Sequence, residues 1–169
     1  VCDDGINGNE FKAIYDVTGK YPAMLGLDMM RYTPSRVELG DGSDAVETAI
    51  EFYDEHGGIV TFCWHWNAPT QYLKEGNDPD TGNPRWWGGF YTRNTDFDIA
   101  KVMNSEDEEG KKLLDEDIKA IAEQLNRLQD AGVPVIWRPL HEASGAWFWW
   151  GAKGADAYKQ LWVYLYEQL

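Results

Sequence analysis

Cysteine is scarce in this 169-residue chain, two in all, and two cysteines cannot make the disulfide framework of a small secreted scaffold. Cys63 lies inside the apolar run Ile59 to Trp66, where a small buried thiol fits; a Cys2–Cys63 bridge stays open, with free thiols the preferred reading. Basic residues are few, 15 against 29 acidic ones for a net charge of −14. A phosphate backbone would be repelled, so nucleic acid is not an expected partner. The run of about 18 apolar residues that a spanning helix needs is nowhere found, and a soluble chain without membrane contact is expected. The start at Val1 carries neither an initiator Met nor a basic, apolar leader, which reads as an end made by processing or cutting. Histidine is limited to His56, His65 and His141, on separate predicted elements and without HExxH or CxxC spacing, so no metal site and no cofactor are expected. Asp78, Asp80 and Gly82 resemble part of a calcium loop but lack its later ligands, which makes an acidic turn the better account. No GxGxxG, GxxxxGK[ST] or GxSxG turn occurs, which removes the usual nucleotide-binding and serine-hydrolase signatures.

What the chain does have is aromatic surface: nine Trp and nine Tyr. Such residues fill cores, and they also bury the flat C–H face of a sugar while its hydroxyls stay hydrogen-bonded at the ring edge. Composition alone leaves both uses open.

Periodicity supplies the architecture. Asn9 to Thr18 places Phe11, Ile14 and Tyr15 at helical spacing and stops at Gly19, a residue suited to the left-handed position after a helix. Tyr21 to Met30 is mostly apolar and reads as a strand covered on both faces. Asp44 with Glu47 resembles a capping pair, followed by Val46, Ala49, Ile50 and Tyr53 on one face up to Gly57. Ile59 to Trp66 is a second buried parallel strand. From Asn67 to about Ser105 comes a long loop that still holds Trp86, Trp87, Phe90 and Tyr91, which favours a packed, functional loop. Glu109 to Asp130 repeats Leu114, Ile118, Ile121, Leu125 and Leu128 in steps of four and three, the clearest helix in the chain. Val133 to Leu140 is a third apolar strand, and Asp156 to Leu169 a last helix with Tyr158, Leu161, Trp162 and Leu165 on one face. Helices alternating with strands predict parallel β/α units with right-handed crossovers, an α/β fold of either the doubly wound or the (β/α)8 barrel kind. Without a nucleotide-binding turn the barrel is preferred.

Barrels carry their working groups where strands end at the carboxyl side. Those ends hold Asp28, then His65 with Asn67, then Arg138 with His141 and Glu142, followed by Trp147, Phe148, Trp149 and Trp150. A carboxyl group walled by indoles beside an imidazole is expected to be desolvated, as a general acid requires. Arg138 could hold its neighbours through charge-assisted hydrogen bonds. The plainer reading is that Glu142 marks where a strand meets water and that His65 is a satisfied strand-end histidine.

The phrase WRPLHEASGAWFWWG (Trp137 to Gly151) resembles the signature of glycoside hydrolase family 26. GKYPAMLGLDMMRY (Gly19 to Tyr32), VTFCWHWNAP (Val60 to Pro69) and WWGGFYT (Trp86 to Thr92) are similar to further stretches of that family, so nearly all of residues 1–169 is covered. The resemblance implies a partial (β/α)8 TIM-barrel catalytic domain, roughly strands two to four with their helices. It implies a secreted, retaining endo-β-1,4-mannanase acting on mannan, glucomannan or galactomannan, with xylan and mixed-linkage glucan as family minorities. It further implies Glu142 as acid/base, His141 and Arg138 orienting the active-site carboxylates, Trp147 flooring the subsite of the cleaved sugar, and His65 and Trp87 lining the cleft. The family's nucleophile is a glutamate on the seventh strand, outside this stretch. The rest of the barrel is therefore expected on a missing or separate chain, and this chain alone is expected to be inactive. Ala143-Ser144 depart from the Met-Asn that many members carry after the His-Glu pair, which leaves substrate choice less constrained than reaction type. A non-catalytic carbohydrate-binding module is the rival reading, against which the Leu114 to Leu128 helix argues because such modules are mostly β-sandwiches.

Overall fold

In a computed structural model that describes residues 8–169, three parallel strands form one sheet in sequence order. They are β1 (Met24–Asp28), β2 (Ile59–Cys63) and β3 (Val135–Arg138). Around them lie α1 (Asn9–Thr18), α2 (Pro34–Glu38), α3 (Ala45–His56), α4 (Ile99–Met103), α5 (Glu108–Asp130) and α6 (Ala155–Gln168). Parallel strands joined through helices are the β/α arrangement the patterning predicts, and they set aside the β-sandwich of a binding module.

All three strands are shorter than their apolar runs. Pro22, Pro134 and Pro139 lack the N–H that a ladder needs, and β2 stops at Cys63 because its neighbours stop level with it. The register pairs Asp28 with Cys63 and Cys63 with Arg138, so one row across the sheet ends in these three side chains. Alternation puts Leu25, Leu27, Val60, Phe62 and Trp137 on one face, where they join the buried cluster shared with α3 and α5. Gly26, Asp28, Thr61, Cys63, Ile136 and Arg138 occupy the other. β3 is not buried throughout as its composition suggests: Ile136 is 47% exposed, since β3 is an edge strand among the described residues.

Helix ends are set by local chemistry. Gly19 (φ 67°) and Gly57 (φ 61°) close α1 and α3 in the left-handed region, which costs glycine nothing. Asp107 caps α5, its Oδ1 accepting from the Gly110 N–H at 2.9 Å. The expected Asp44–Glu47 capping box does not form. Ser43 Oγ accepts from the Ala45 N–H at 3.1 Å instead, while Glu47 pairs with Arg127 of α5. A charged partner on a neighbouring helix outcompetes the local cap.

Three face assignments also need correction. On α1 only Phe11 is buried, whereas Ile14 and Tyr15 are exposed, Tyr15 stacking on Tyr21 at 4.6 Å. On α5 Leu114, Ile118, Ile121 and Leu128 are buried and Leu125 only partly so. On α6 Leu161 and Leu165 are buried but Trp162 is exposed, lying over the groove beside the β3 edge with Trp137 and Leu169.

The long loop is packed, as its aromatics predict, and contains α4 together with three short 3-10 turns. Its acidic turn is held by protein bonds: Arg93 Nε bonds both Asp78 oxygens at 3.1 and 3.0 Å, and Asp80 N donates to Asp78 Oδ1. The Arg93 bonds hold the Asp78 carboxyl far below the usual range.

Tryptophan use divides. Trp64, Trp66, Trp149 and Trp150 are each at most 1% exposed, with Trp64 and Trp66 stacked at 3.9 Å. Trp66 Nε1 donates to Asp117 Oδ2 at 2.7 Å, a carboxyl on α5 that is 2% exposed. Burial pushes Asp117 up to about 8, which the Trp66 bond lowers and the nearby Glu38 and Glu116 reinforce. The folded form thus keeps a proton that the unfolded chain releases. Its stabilising contribution is full below about pH 4 and is lost as pH rises toward about 8. Asp117→Asn keeps an acceptor for Trp66 and removes the titration. Its melting temperature is expected to exceed the parent's at pH 8 and to match it near pH 4, and an equal difference at both values would exclude the buried carboxyl as the cause.

Candidate active site

The level strand ends bring three sequence-distant groups together. Asp28 ends β1 and turns its carboxylate toward β2: Oδ1 accepts from the backbone N–H of Met30 at 2.9 Å and of His65 at 3.0 Å, and Oδ2 lies 2.5 Å from His65 Nδ1. Burial alone would raise this carboxyl, but the bonds and charge of His65 outweigh it and leave Asp28 below its ordinary value. An ionised Asp28 can only accept, so His65 Nδ1 donates to it. His65 Nε2 lies 3.2 Å from His141 Nε2, within hydrogen-bond distance. The Nδ1 of His141 is buried and has no partner among the described residues. Burial, then the neighbouring His65, lowers His141 below the ordinary imidazole value and keeps it neutral, against smaller opposing effects of Asp28 and Glu142.

Phe148 and Phe90 wall these imidazoles. His65 lies 4.9 Å from the Phe90 ring and 5.5 Å from that of Phe148. Both phenylalanines are placed by pairing between the long loop and the segment after Glu142: Trp149 N donates to Phe90 O at 3.1 Å, and Thr92 N to Trp147 O at 2.9 Å.

Glu142 stands on a turn of unusual backbone. Leu140 (φ 52°), Glu142 (φ 56°) and Ala146 (φ 57°) are all left-handed without being glycine, a conformation costing roughly 1 kcal/mol or more apiece. Surrounding bonds hold it: Trp150 Nε1 to His141 O at 2.9 Å, Tyr158 OH to Leu140 O at 3.3 Å, and Gly145 N to Glu142 O at 3.1 Å. Glu142 Oε2 accepts from Trp147 Nε1 at 3.0 Å.

The expected indole-walled carboxyl is not what forms. Glu142 is exposed and touches one indole, because Trp149 and Trp150 turn into the core and donate to Trp66 O and His141 O. Trp147 remains 46% exposed beside it. Arg138 also departs from expectation. Its Nε donates to Thr61 Oγ1 at 3.2 Å, and among the described residues it pairs with no carboxylate. It shares the inner face with Asp28 but sits two strands away from it in the row. Trp87 is 53% exposed on the turn Arg85–Gly88, beside Trp86 and without a ring contact to His65 or His141. Asn67 is fully buried, donating to Ser35 Oγ at 3.2 Å, and so serves packing.

Two features of the site leave no mark in the sequence. One is the coupling of Asp28 to His141 through His65, which only the strand register reveals. The other concerns metal. Ligand atoms of Cys63, His65 and His141 all lie within 4.8 Å of one another, although no local spacing announces them; a parallel sheet gathers strand ends that the sequence separates. Cys63 is buried, as expected, and its thiol is pushed up to about 12 by burial and the nearby Asp28 carboxylate. Among the described residues it carries no disulfide; Cys2, and with it the open Cys2–Cys63 bridge, lies outside them. His56 stays apart, next to Tyr21 and Phe52.

A carboxylate on a strained turn at a row of parallel strand ends, with exposed indoles nearby, stands where β/α barrels of the enzyme class carry their working groups. Comparison with known proteins narrows the class. The family described as Glycosyl hydrolase family 26 matches residues 2–169, and the chain belongs to that family. A mannan endo-1,4-beta-mannosidase of Thermothelomyces thermophilus is 55% identical over 152 residues, covering 90% of this chain and 30% of that protein. One from Bacillus subtilis is 31% identical over 165 residues, covering 95% of this chain and 40% of its own length. Among solved structures, a Podospora anserina β-(1,4)-mannanase superposes with a TM-score of 0.84 at 53% identity, over 94% of this chain and 34% of that one. A β-mannanase from a symbiotic protist of the termite Reticulitermes speratus, solved with a gluco-manno-oligosaccharide, gives 0.73 at 38% identity over 94% and 46%. The chain therefore spans about a third to a half of these relatives, and its three strands are part of a TIM barrel.

Proposed function

We propose that the barrel to which this chain belongs hydrolyses internal β-1,4-mannosidic bonds of mannan-type hemicellulose by double displacement with retention. Glu142 protonates the leaving glycosidic oxygen, and a second carboxylate elsewhere in the barrel attacks the anomeric carbon. Glu142 then takes a proton from the water that releases the sugar. The observation that carries this reading is the placement of Glu142: exposed at the strand mouth, fixed by a left-handed backbone, and bonded at Oε2 by the Trp147 indole. Trp147 offers the sugar an aromatic floor, and His65 with Trp87 lines the cleft. His141 and Arg138 orient the carboxylates, Arg138 by swinging from Thr61 toward the added charge. Because a polymer of this size does not enter cells, the protein acts outside them. The names of the relatives favour mannan over xylan and mixed-linkage glucan.

Reducing-sugar release from the three polymers by the full-length protein tests the assignment. Mannan is expected to be cleaved fastest, by about tenfold or more over each alternative, the scale on which pocket contacts discriminate. Faster release from xylan or glucan, or binding of all three without release, overturns it.

A further inference from the structure

Cys63, His65 and His141 bring one sulfur and two imidazole nitrogens within 4.8 Å of one another beside the proposed acid. Three observations converge on this cluster. The two Nε2 atoms are 3.2 Å apart, while two imidazoles on one tetrahedral zinc, at about 2.0–2.1 Å each, stand about 3.3 Å apart. His65 already has the outer partner that metal-bound histidines use: its Nδ1 is held by Asp28 Oδ2 at 2.5 Å, which fixes the tautomer and presents the Nε2 lone pair to the pocket. The sulfur of Cys63 is within 4.8 Å of one ring nitrogen of each histidine, and a tetrahedral S–Zn–N pair needs about 3.6 Å, so rotation of the thiol and the rings would close the set. All three face the strand mouth, where the imidazoles are part-exposed and an ion can enter.

We infer that this pocket binds a divalent, borderline-soft cation such as Zn2+ through Cys63 Sγ, His65 Nε2 and His141 Nε2, leaving the fourth position open, and that the bound ion inhibits the neighbouring site. Protons balance as follows. Zn2+ replaces the Cys63 thiol proton, which leaves to solvent; the His141 proton moves from Nε2 to the unpartnered Nδ1. Starting from neutral imidazoles, one proton is released per ion, and no redox partner is involved. Inhibition arises because the ion takes His141, one residue from Glu142, out of its bond to His65.

Zn2+ titration of the full-length protein by calorimetry in two buffers of different ionisation enthalpy tests the site, with Co2+ absorption as a second readout. One equivalent and one released proton are expected, with a thiolate-to-cobalt charge-transfer band that Cys63→Ser abolishes. His65→Ala and His141→Ala each weaken binding by about 100-fold or more, and Asp28→Asn by about 10–100-fold; far-UV circular dichroism verifies that each variant is folded. Zn2+ affinity unchanged in His65→Ala and His141→Ala, or no charge-transfer band in the parent protein, overturns the site. The inhibition arm rests on the proposed function: mannan hydrolysis falls with the same Zn2+ midpoint and returns on adding a chelator. If the metal-free protein releases no sugar at all, that functional reading has failed, while calorimetry still decides the metal site.

Discussion

Glu142→Gln in the full-length enzyme is expected to lower turnover on unactivated mannan by about 10²–10⁴-fold, the usual worth of a positioned proton donor. Glutamine has the same shape and keeps an oxygen for the Trp147 indole, which donates to Glu142 Oε2 at 3.0 Å. It cannot give up a proton to a glycosidic oxygen. Because Glu142 is exposed, the fold should not register the change, and the melting temperature should stay within a degree or so of the parent's, as for surface substitutions generally. The loss is confined to kcat if Glu142 acts only in the transition state. Near-parental turnover, with the melting curve unchanged, would remove Glu142 from the chemistry.

The second large effect is expected at Gly151. A Cβ added there would lie 2.2 Å from the carbonyl oxygen and 2.9 Å from the Cα of Ala143, and both are backbone with no flexible end to swing aside. The residue displaced is the neighbour of Glu142. Gly151→Ala should therefore cost about 1–3 kcal/mol, the range for forcing an atom into a filled site. It should also lower turnover by about 10²-fold, the scale of an ångström's misplacement. Gly42→Ala, where nothing lies within 4 Å, is the control and should change neither. Denaturant melts read with kcat decide it: a Gly151→Ala protein as stable and active as the control would mean that the turn yields freely.

How much of this was legible beforehand depends on whether a feature is local. α1, α3 and α5 were read within a residue of their ends because apolar spacing and the Gly19 and Gly57 stops lie in one short stretch of chain. Strand ends were not, since a strand ends where its partner does, and the row Asp28, Cys63, Arg138 exists only through pairing. Glu142 and Trp147 were found together because they lie five positions apart in the chain. The Asp28–His65–His141 chain was not, because each member stands at or just past the end of a different strand. The run Trp147 to Trp150 offered four aromatics with no local mark of which face outward. That choice follows from the left-handed residues before it and from carbonyl partners at Trp66 and His141, all set by tertiary packing.

The backbone around the acid has one more consequence, for sequence change rather than chemistry. Leu140, Glu142 and Ala146 hold positive φ, where side chains branched at Cβ are the least tolerated. Valine, isoleucine and threonine are thereby closed to exposed Glu142 and Ala146 as much as to buried Leu140. A library built to alter substrate choice would find its accepted variants at the two exposed sites confined to Gly, Asn, Asp and unbranched residues, a narrower alphabet than surface position alone suggests.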